Sequence, residues 1–184
     1  MENGKGNMEK KITISIATAR DAEGMGKVFY KTWLATYPNE EFGITVDDIE
    51  DRFQDRSTKE GIKKASERIS NPPEGSTTFV AKEGDMIVGV CKILVSEKGN
   101  RIGAIYVLPD YQGRGIGRKL WEQALKVFDL TKDIFVSVAS YNIKAIEFYK
   151  KLGFNDTGKR WNDEKHKMKS EATIPEMEMA IRAK

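Results

Sequence analysis

A glycine-rich turn between an apolar strand and an amphipathic helix constrains the fold of this chain more than any other feature. The run Ile105-Tyr106-Val107-Leu108 is typical of a strand, and the turn Gln112-Gly113-Arg114-Gly115-Ile116-Gly117 follows it. Apolar residues at helical spacing come next: Leu120, Trp121, Ala124, Leu125 and Phe128. Unpaired N–H groups at the start of a helix bind anions, and glycines let an anion approach the backbone. This order predicts a phosphate-binding site in an α/β fold.

The spacing of the glycines argues against two common nucleotide-binding loops. The loop of nucleoside triphosphatases needs Lys and then Ser or Thr after its last glycine, whereas Arg118-Lys119-Leu120 follows Gly117. The dinucleotide fingerprint needs G-x-G-x-x-G and an acid at the end of the next strand, whereas the spacing here is G-x-G-x-G and Asp133 precedes that strand. A tight strand-to-helix connection without a ligand is the structural alternative.

Apolar periodicity predicts one mixed α/β domain over residues 11–184, preceded by a flexible tail, residues 1–10. Strands are predicted over residues 12–16, 77–81, 86–95, 102–108, 134–138, 157–161 and 175–181. Helical patterns cover residues 21–37, 46–53, 61–69, 115–128 and 142–152. The second to fourth strands form an antiparallel meander, and the alternation of strand and helix after them predicts parallel pairing.

Composition excludes several classes of protein. Lys and Arg outnumber Asp and Glu by only 31 to 28, so no nucleic-acid partner is expected. No apolar stretch reaches the roughly 18 residues of a spanning helix, so no membrane partner is expected. Cys91 is the only cysteine and His166 the only histidine, which leaves almost no ligands for a metal such as zinc. A reducing cytoplasm is the predicted location, and the stretch around His166 is predicted to be a solvated loop.

The glycine turn and its neighbours resemble the GCN5-related N-acetyltransferase (GNAT) superfamily. The family motif is Arg or Gln, two residues, Gly, one residue, then Gly or Ala, and Gln112, Gly115 and Gly117 match it. Other matches lie on either side of the turn: Tyr106-Val107-Leu108-Pro109, Asn142, Ala145, Phe148-Tyr149 and Gly153-Phe154. The resemblance covers residues 102–154. It implies a mixed, mostly antiparallel sheet of about seven strands, flanked by helices and splayed between its fourth and fifth strands.

The resemblance also implies a reaction and its residues. The family transfers the acetyl group of acetyl-CoA, its co-substrate, directly to a primary amine within a ternary complex. The N–H groups of Gln112 to Gly117 are then expected to bind the pyrophosphate. Ile105 and Val107 pair with the pantetheine arm, the Val107 N–H faces the thioester oxygen, Asn142 meets the pantetheine, and Tyr149 is the general acid. The alternatives are a core aromatic at Tyr149 and a helix cap at Asn142.

The acceptor side is less constrained by the sequence. Residues 33–38 resemble the acceptor-side loop of polyamine-type members, which makes Trp33 and Tyr37 candidate pocket walls, with a core role as the alternative. Arg101, Gly103 and Ala104 stand where many relatives carry an acid, so Glu40 and Glu41 are the candidate bases, directly or through water. A small amine such as a polyamine is the first expected acceptor, and a protein N-terminus or lysine the next. A non-catalytic acyl-CoA sensor is the rival function, and a homodimer is expected.

Overall fold

A computed structural model describes residues 11–164 and 167–183, and within them the periodic segments form seven strands and five α-helices. The strands are β1 (Ile12–Ile16), β2 (Ser76–Glu83), β3 (Met86–Ser96), β4 (Gly99–Val107), β5 (Ile134–Ala139), β6 (Asn155–Asn162) and β7 (Pro175–Ile181). The helices are α1 (Ala22–Thr36), α2 (Val46–Phe53), α3 (Lys59–Ser70), α4 (Ile116–Leu125) and α5 (Ile143–Lys151). The tail predicted for residues 1–10 and the loop residue His166 lie outside the described residues.

The strands form one sheet in the order β1-β2-β3-β4-β5-β7-β6. All neighbouring strands are antiparallel except β4 and β5, which confirms the predicted mixed sheet. The strand β4 begins at Gly99, three residues before its predicted start, because Ser96 pairs with Gly99 across a two-residue turn. Glycine and asparagine suggested a loop here. Instead, the side chain of Asn100 is fully buried, and its amide donates to the carbonyl oxygen of Asp129 at 2.8 Å.

Helices cover both faces of the sheet, and each face has its own apolar core. The first face packs against α4 and α5, with Leu120, Trp121 and Phe154 among its buried residues. The second face packs against α1 and α2, with Val28 and Ile49 fully buried. Each strand therefore presents alternate side chains to two different helix layers, so a site on one face is separated from the other face only by the thickness of the sheet.

The strands β4 and β5 part soon after they meet. Their parallel pairing runs only from Asn100 with Ile134 to Ile102 with Val136. On the other edge of β4, Ile102 pairs with Ile93 and Ala104 with Lys92, so Gly103 is an extra residue that forms a β-bulge. Because of the bulge, Ile102 lies in the α4 core and Ala104 in the α1 core, although residues two apart normally share a face. The splay predicted between the fourth and fifth strands is therefore present.

Two further properties concern the described part of the chain. No helix there is both long enough and apolar enough to cross a bilayer. No group of three or more His, Cys, Asp or Glu side chains is arranged there to hold a metal ion.

Candidate active site

The predicted phosphate-binding turn presents a run of open main-chain N–H groups. Gly113 and Gly115 adopt positive φ angles of 79° and 74°, a conformation that favours glycine, and α4 starts at Ile116. Among the described residues, no acceptor is assigned to the N–H groups from Gly113 to Arg118, and the next N–H, that of Lys119, donates to Gly115 within the helix. Successive N–H groups in such a turn form a concave anion-binding site, and the helix dipole adds to the attraction.

Gln112 differs from the rest of the turn. Its N–H donates to the carbonyl oxygen of Pro109 at 3.2 Å, so the open run begins one residue later than the sequence predicted. Its side-chain amide donates to the carbonyl oxygen of Val107 at 3.1 Å. The motif glutamine therefore ties the turn to the end of β4, which fixes the distance between the two.

The third glycine of the turn is needed for packing. A Cβ atom built at Gly117 would lie 3.2 Å from the Phe148 ring, closer than ordinary van der Waals contact. Nothing lies within 4 Å of a Cβ atom built at Gly113 or Gly115. Gly117 thus allows α4 to approach α5, whereas the other two glycines set the backbone conformation of the turn.

Glu83 holds the outer side of the turn. It accepts a hydrogen bond from the Tyr111 hydroxyl at 2.8 Å, and the Arg114 guanidinium lies 3.9 Å from its other oxygen. The same guanidinium stacks on the Tyr111 ring at 4.6 Å. The Arg114 side chain is therefore directed away from the open N–H groups and supports the turn from outside.

The main-chain groups of Ile105 and Val107 face the gap between β4 and β5. The Leu108 N–H donates to the carbonyl oxygen of Val88 on β3 at 2.9 Å. In an antiparallel ladder, alternate residues point their N–H and C=O groups to the same neighbour. Those of Tyr106 therefore face β3, and those of Ile105 and Val107 face the side from which β5 has parted. The Val107 carbonyl oxygen already accepts from the Gln112 side chain, so the groups left open for a pantetheine arm are the N–H and C=O of Ile105 and the N–H of Val107.

Tyr149 lies on α5 next to this segment of β4. It is 6% exposed and packs edge-to-face on Phe148 and Phe154, with Ile105 and Val107 against the same core. Burial raises the pKa of its phenol well above the ordinary value, and the neighbouring Cys91 and Tyr106 add smaller increases. The core reading of Tyr149 is thus correct for its ring, and its hydroxyl is protonated at neutral pH.

Asn142 caps α5. Its side-chain oxygen accepts a hydrogen bond from the Ala145 N–H at 3.1 Å. The cap uses the oxygen of the side chain, which leaves the amide nitrogen for another partner. The cap therefore agrees with the structural alternative and is also compatible with contact to a ligand.

A cavity of about 200 Å³ opens on the other face of β4, beside the bulge. Gly103, Ala104 and Tyr106 form its strand side, and aromatic residues of α1 and α2 line it: Phe29, Trp33 and Phe53. Three cations complete its lining: Arg52, Arg56 and Lys92. Trp33 is therefore both a member of the α1 core and a wall of this cavity. A cavity so close to the bulge is the candidate acceptor site.

Tyr37 does not line this cavity but is hydrogen-bonded to Tyr106, which does. The two hydroxyls lie 3.0 Å apart, and the carbonyl oxygen of Tyr37 accepts a hydrogen bond from Tyr141 at 2.9 Å. Burial raises the pKa of Tyr37 and of Tyr106, and the negative charge of Glu176 raises both further. The pair is therefore neutral at physiological pH.

The acids near the cavity differ from those expected. Glu40 and Glu41 lie in an exposed turn and do not line the cavity. Glu176, at the start of β7, acts electrostatically on both Tyr37 and Tyr106. Sequence reasoning missed Tyr106 as an acceptor-side residue and Glu176 altogether, because only the pairing of β7 with β5 brings Glu176 near the splay.

Known proteins share both the sequence motif and the fold. Residues 74–156 match the family model described as acetyltransferase (GNAT) domain. Over 87 residues the chain is 36% identical to the peptidyl-lysine N-acetyltransferase YjaB of Escherichia coli (strain K12). That alignment covers 47% of this chain and 54% of YjaB, so the chain spans about half the length of this curated relative.

Two solved structures extend the likeness over nearly the whole chain. The PaiA N-acetyltransferase from Thermoplasma acidophilum, in complex with coenzyme A, superimposes with a TM-score of 0.70 at 19% identity, covering 94% of this chain and 99% of that one. YncA from Salmonella typhimurium, with acetyl-CoA, gives a TM-score of 0.62 at 17% identity, covering 95% of each chain. The matched family model spans the glycine turn, Asn142 and Tyr149, and the parted seven-stranded sheet agrees with that match, so over residues 74–156 this chain is similar to an acetyltransferase (GNAT) domain.

Proposed function

We propose that this protein transfers the acetyl group of acetyl-CoA to a primary amine. One observation carries the proposal: the open N–H groups of residues 113–118 stand at the end of a parted strand whose free main-chain groups lie beside Tyr149. The turn offers an anion site, the Ile105 and Val107 backbone offers a track for an amide-containing arm, and Tyr149 offers a proton donor.

The chemistry follows from these positions. The amine nitrogen attacks the thioester carbon, and the Val107 N–H donates to the oxygen on which negative charge develops. The carbon–sulfur bond then breaks, and the sulfur receives the proton of the Tyr149 hydroxyl. A proton lost by the amine restores the phenol through solvent. Asn142 holds the arm at the start of α5 through its amide nitrogen.

The state of Cys91 favours direct acetyl transfer and argues against an acyl-cysteine intermediate. Its thiol is fully buried, and burial raises its pKa to about 12. A cysteine nucleophile must be ionised, and this thiol stays neutral at physiological pH. Since Cys91 is the only cysteine, an acyl-cysteine route has no other candidate. The acetyl group therefore passes from sulfur to nitrogen while both substrates are bound.

The proton of the amine needs a route out of the site. The exposed positions of Glu40 and Glu41 give them no contact with the cavity, whereas Glu176 influences two hydroxyls at its edge. We infer that the proton leaves through water towards Glu176, in line with the water-relayed loss predicted from the sequence.

Two acceptors are consistent with the site. A cavity of about 200 Å³ suits a small amine, the class to which polyamines belong. A peptidyl lysine is the second candidate, because the YjaB relative is named for that activity. We place the small amine first on account of the cavity's size.

The Tyr149→Phe variant tests this function. Loss of a general acid lowers rates by about 10²- to 10⁴-fold, so kcat for CoA release in the presence of amines should fall within this range. The dissociation constant for acetyl-CoA, measured by calorimetry, should stay within about twofold, because the ring still packs on Phe148 and Phe154.

Tyr30→Phe is the matched control, since it removes a phenol on α1 that packs on Phe53 away from the turn. Its turnover should equal that of the wild type. If the wild type binds acetyl-CoA but releases no CoA with any amine or lysine peptide, the protein is an acyl-CoA sensor and the proposal is wrong.

A further inference from the structure

Three cations surround the acceptor-side cavity, each over a ring that lines it. The pairs, with the distance from the charged group to the ring centroid, are Arg52 over Trp33 (5.2 Å), Arg56 over Phe53 (4.8 Å) and Lys92 over Phe29 (4.6 Å). A cation over a ring face still has N–H groups directed to the side, towards the space between the rings. The cavity is therefore apolar at its walls and positive at its rim.

Two of these three charges, those of Arg56 and Lys92, lack an acidic partner in the described part of the chain. Among the described residues, no carboxylate forms an ion pair with Arg56 or Lys92. Burial lowers the pKa of Arg56, and repulsion from Arg52 and Arg68 lowers it further. Although Lys92 is an exposed residue, partial removal of its ammonium from water lowers its pKa, and the charges of Arg56 and Arg68 lower it further. Like charges held together without a counterion are a feature of anion-binding sites.

The positive and negative charges lie near different parts of the cavity lining. Lys92 pairs with Ala104, the residue that follows the bulge, so the positive rim lies beside the segment of β4 that faces the gap. Tyr106 lies at another part of the lining, and the negative charge of Glu176 raises the pKa of its phenol. A ligand with an anionic group and an ammonium group would meet the opposite charge at each position.

We propose that the acceptor is a small primary amine that also carries a carboxylate or phosphate, and that this anionic group binds between Arg56 and Lys92. The inference rests on the proposed acetyl transfer and narrows its substrate class. A polyamine such as spermidine places only positive charges in the site and is repelled by the rim. The aromatic walls favour an acceptor whose remaining surface is apolar or aromatic.

Pairs of acceptors that differ in one anionic group test the substrate class. Phenylalanine is compared with phenylalaninamide, phosphoethanolamine with ethanolamine, and spermidine is included as the polycation. CoA release gives kcat/KM for each. The anionic member of at least one pair should be preferred by about tenfold or more, the range expected for a charge-assisted hydrogen bond. Preference for spermidine, for the members without an anionic group or for a lysine peptide overturns the inference.

Charge-reversal variants test whether the preference for anionic amines depends on the cations of the cavity. Arg56→Glu and Lys92→Glu should each lower kcat/KM for the amine with the anionic group by about tenfold or more, and bring it closer to kcat/KM for the partner that lacks this group. Lys98→Glu is the control, because it makes the same charge change at the exposed two-residue turn between β3 and β4. An equal loss of kcat/KM in all three variants would mean that the net charge of the protein, and not the cavity, sets the preference, and would overturn the assigned site.

A binding measurement separates this inference from the proposed function. The same amines are titrated by calorimetry into the wild-type and Arg56→Glu proteins saturated with CoA, which carries no acetyl group to transfer. If the wild type binds the anionic amine and Arg56→Glu does not, the inference is supported. If no acetylation is seen in addition, only the proposed acetyl transfer is refuted. Equal binding of amines with and without an anionic group overturns the inference whether or not acetylation occurs.

Discussion

Tyr149 is a phenol whose surroundings hold it in the protonated form. Burial raises its pKa above the ordinary value near 10, so the folded protein keeps this proton to a higher pH than the unfolded chain does. The corresponding part of the stability is present below about pH 10 and lost as the pH rises through the folded pKa. The hydroxyl therefore keeps the proton required by the proposed role over the whole neutral range.

This protonation state predicts the shape of the pH profile. Between about pH 6 and pH 9.5, kcat/KM for the amine should rise as more of the amine is deprotonated, without a fall caused by ionised Tyr149. Initial rates of CoA release across this range check the prediction. A falling limb centred below about pH 9 that disappears in Tyr149→Phe would show a lowered pKa and contradict this account.

At the scale of elements, the glycine turn has a backbone conformation that only glycine adopts easily, and it leaves space around Gly115. An alanine at Gly115 must adopt a φ of 74°, which costs about 1–2 kcal/mol, although its Cβ would meet no neighbour. Relaxation of this strain moves the N–H groups at the start of α4. Gly115→Ala should therefore raise the dissociation constant for acetyl-CoA about tenfold or more, as measured by calorimetry.

Gly158→Ala is a matched control for strain alone. Gly158 has a φ of 83° and also has no atom near a built Cβ, but it lies in β6 at the far edge of the sheet. This variant should lose a similar amount of stability and bind acetyl-CoA normally. If both variants weaken binding equally, the turn has no special role.

Another element-scale contact joins α2 to the segment before β7. Asp48 accepts hydrogen bonds at 2.8 Å from the Thr45 N–H and hydroxyl and from the Ser170 N–H and hydroxyl. Burial alone would raise its pKa, but these four donors outweigh burial and lower it to about 2. Asp48 thus fixes the segment that lies beside Arg52, whose guanidinium donates to the Lys167 carbonyl oxygen at 3.3 Å.

The lowered pKa predicts a loss of stability in acid. The contribution of Asp48 is present above about pH 4 and is lost as the pH falls to about 2, and it amounts to about 2 kcal/mol. Urea unfolding of Asp48→Asn should therefore show a flatter dependence on pH between 4 and 2 than the wild type. Asp47→Asn, at the exposed neighbouring position, should behave like the wild type. Identical slopes for Asp48→Asn and the wild type would contradict the assignment.

At the scale of the whole molecule, the two halves of the sheet are joined weakly at β4 and β5. Only three residue pairs connect these strands, and a ligand in the gap would contact both the turn and α5. Acetyl-CoA at about 100 times its dissociation constant should stabilise the fold by about 2.7 kcal/mol, or roughly 5–10 °C in Tm for a chain of this size. Pantetheine at the same concentration lacks the diphosphate and should give a smaller shift. Equal shifts would argue against the turn as the main anchor.

The sequence predicted the features that depend on neighbouring residues. Alternating apolar residues located the strands, and the helix predicted to start at Gly115 begins at Ile116. The helix α1 ends at Thr36, two residues before Pro38, as a proline stop predicts. The antiparallel meander and the parallel pair followed from the lengths of the connections.

Features assembled from distant segments were not predictable in the same way. Arg56 follows α2 and Lys92 lies on β3, and nothing in their spacing indicates that they share a cavity. Glu176 approaches Tyr106 only because β7 inserts between β5 and β6. Asn100 resembles a turn residue until its buried contacts with the segment after α4 are seen. Sequence patterns record local periodicity, whereas these sites depend on sheet order.

The extra residue at Gly103 also limits how β4 can change during evolution. Deleting it would join Ile102 directly to Ala104 and restore strict alternation, with Tyr106 and Val107 still on their present faces. The local bend that the bulge gives β4 would be lost, and with it a cause of its parting from β5. A homologue shorter by one residue at this point would keep the glycine turn and lose the bend beside it. The number of residues between Arg101 and Val107 therefore matters for the gap, as well as the identity of the side chains there.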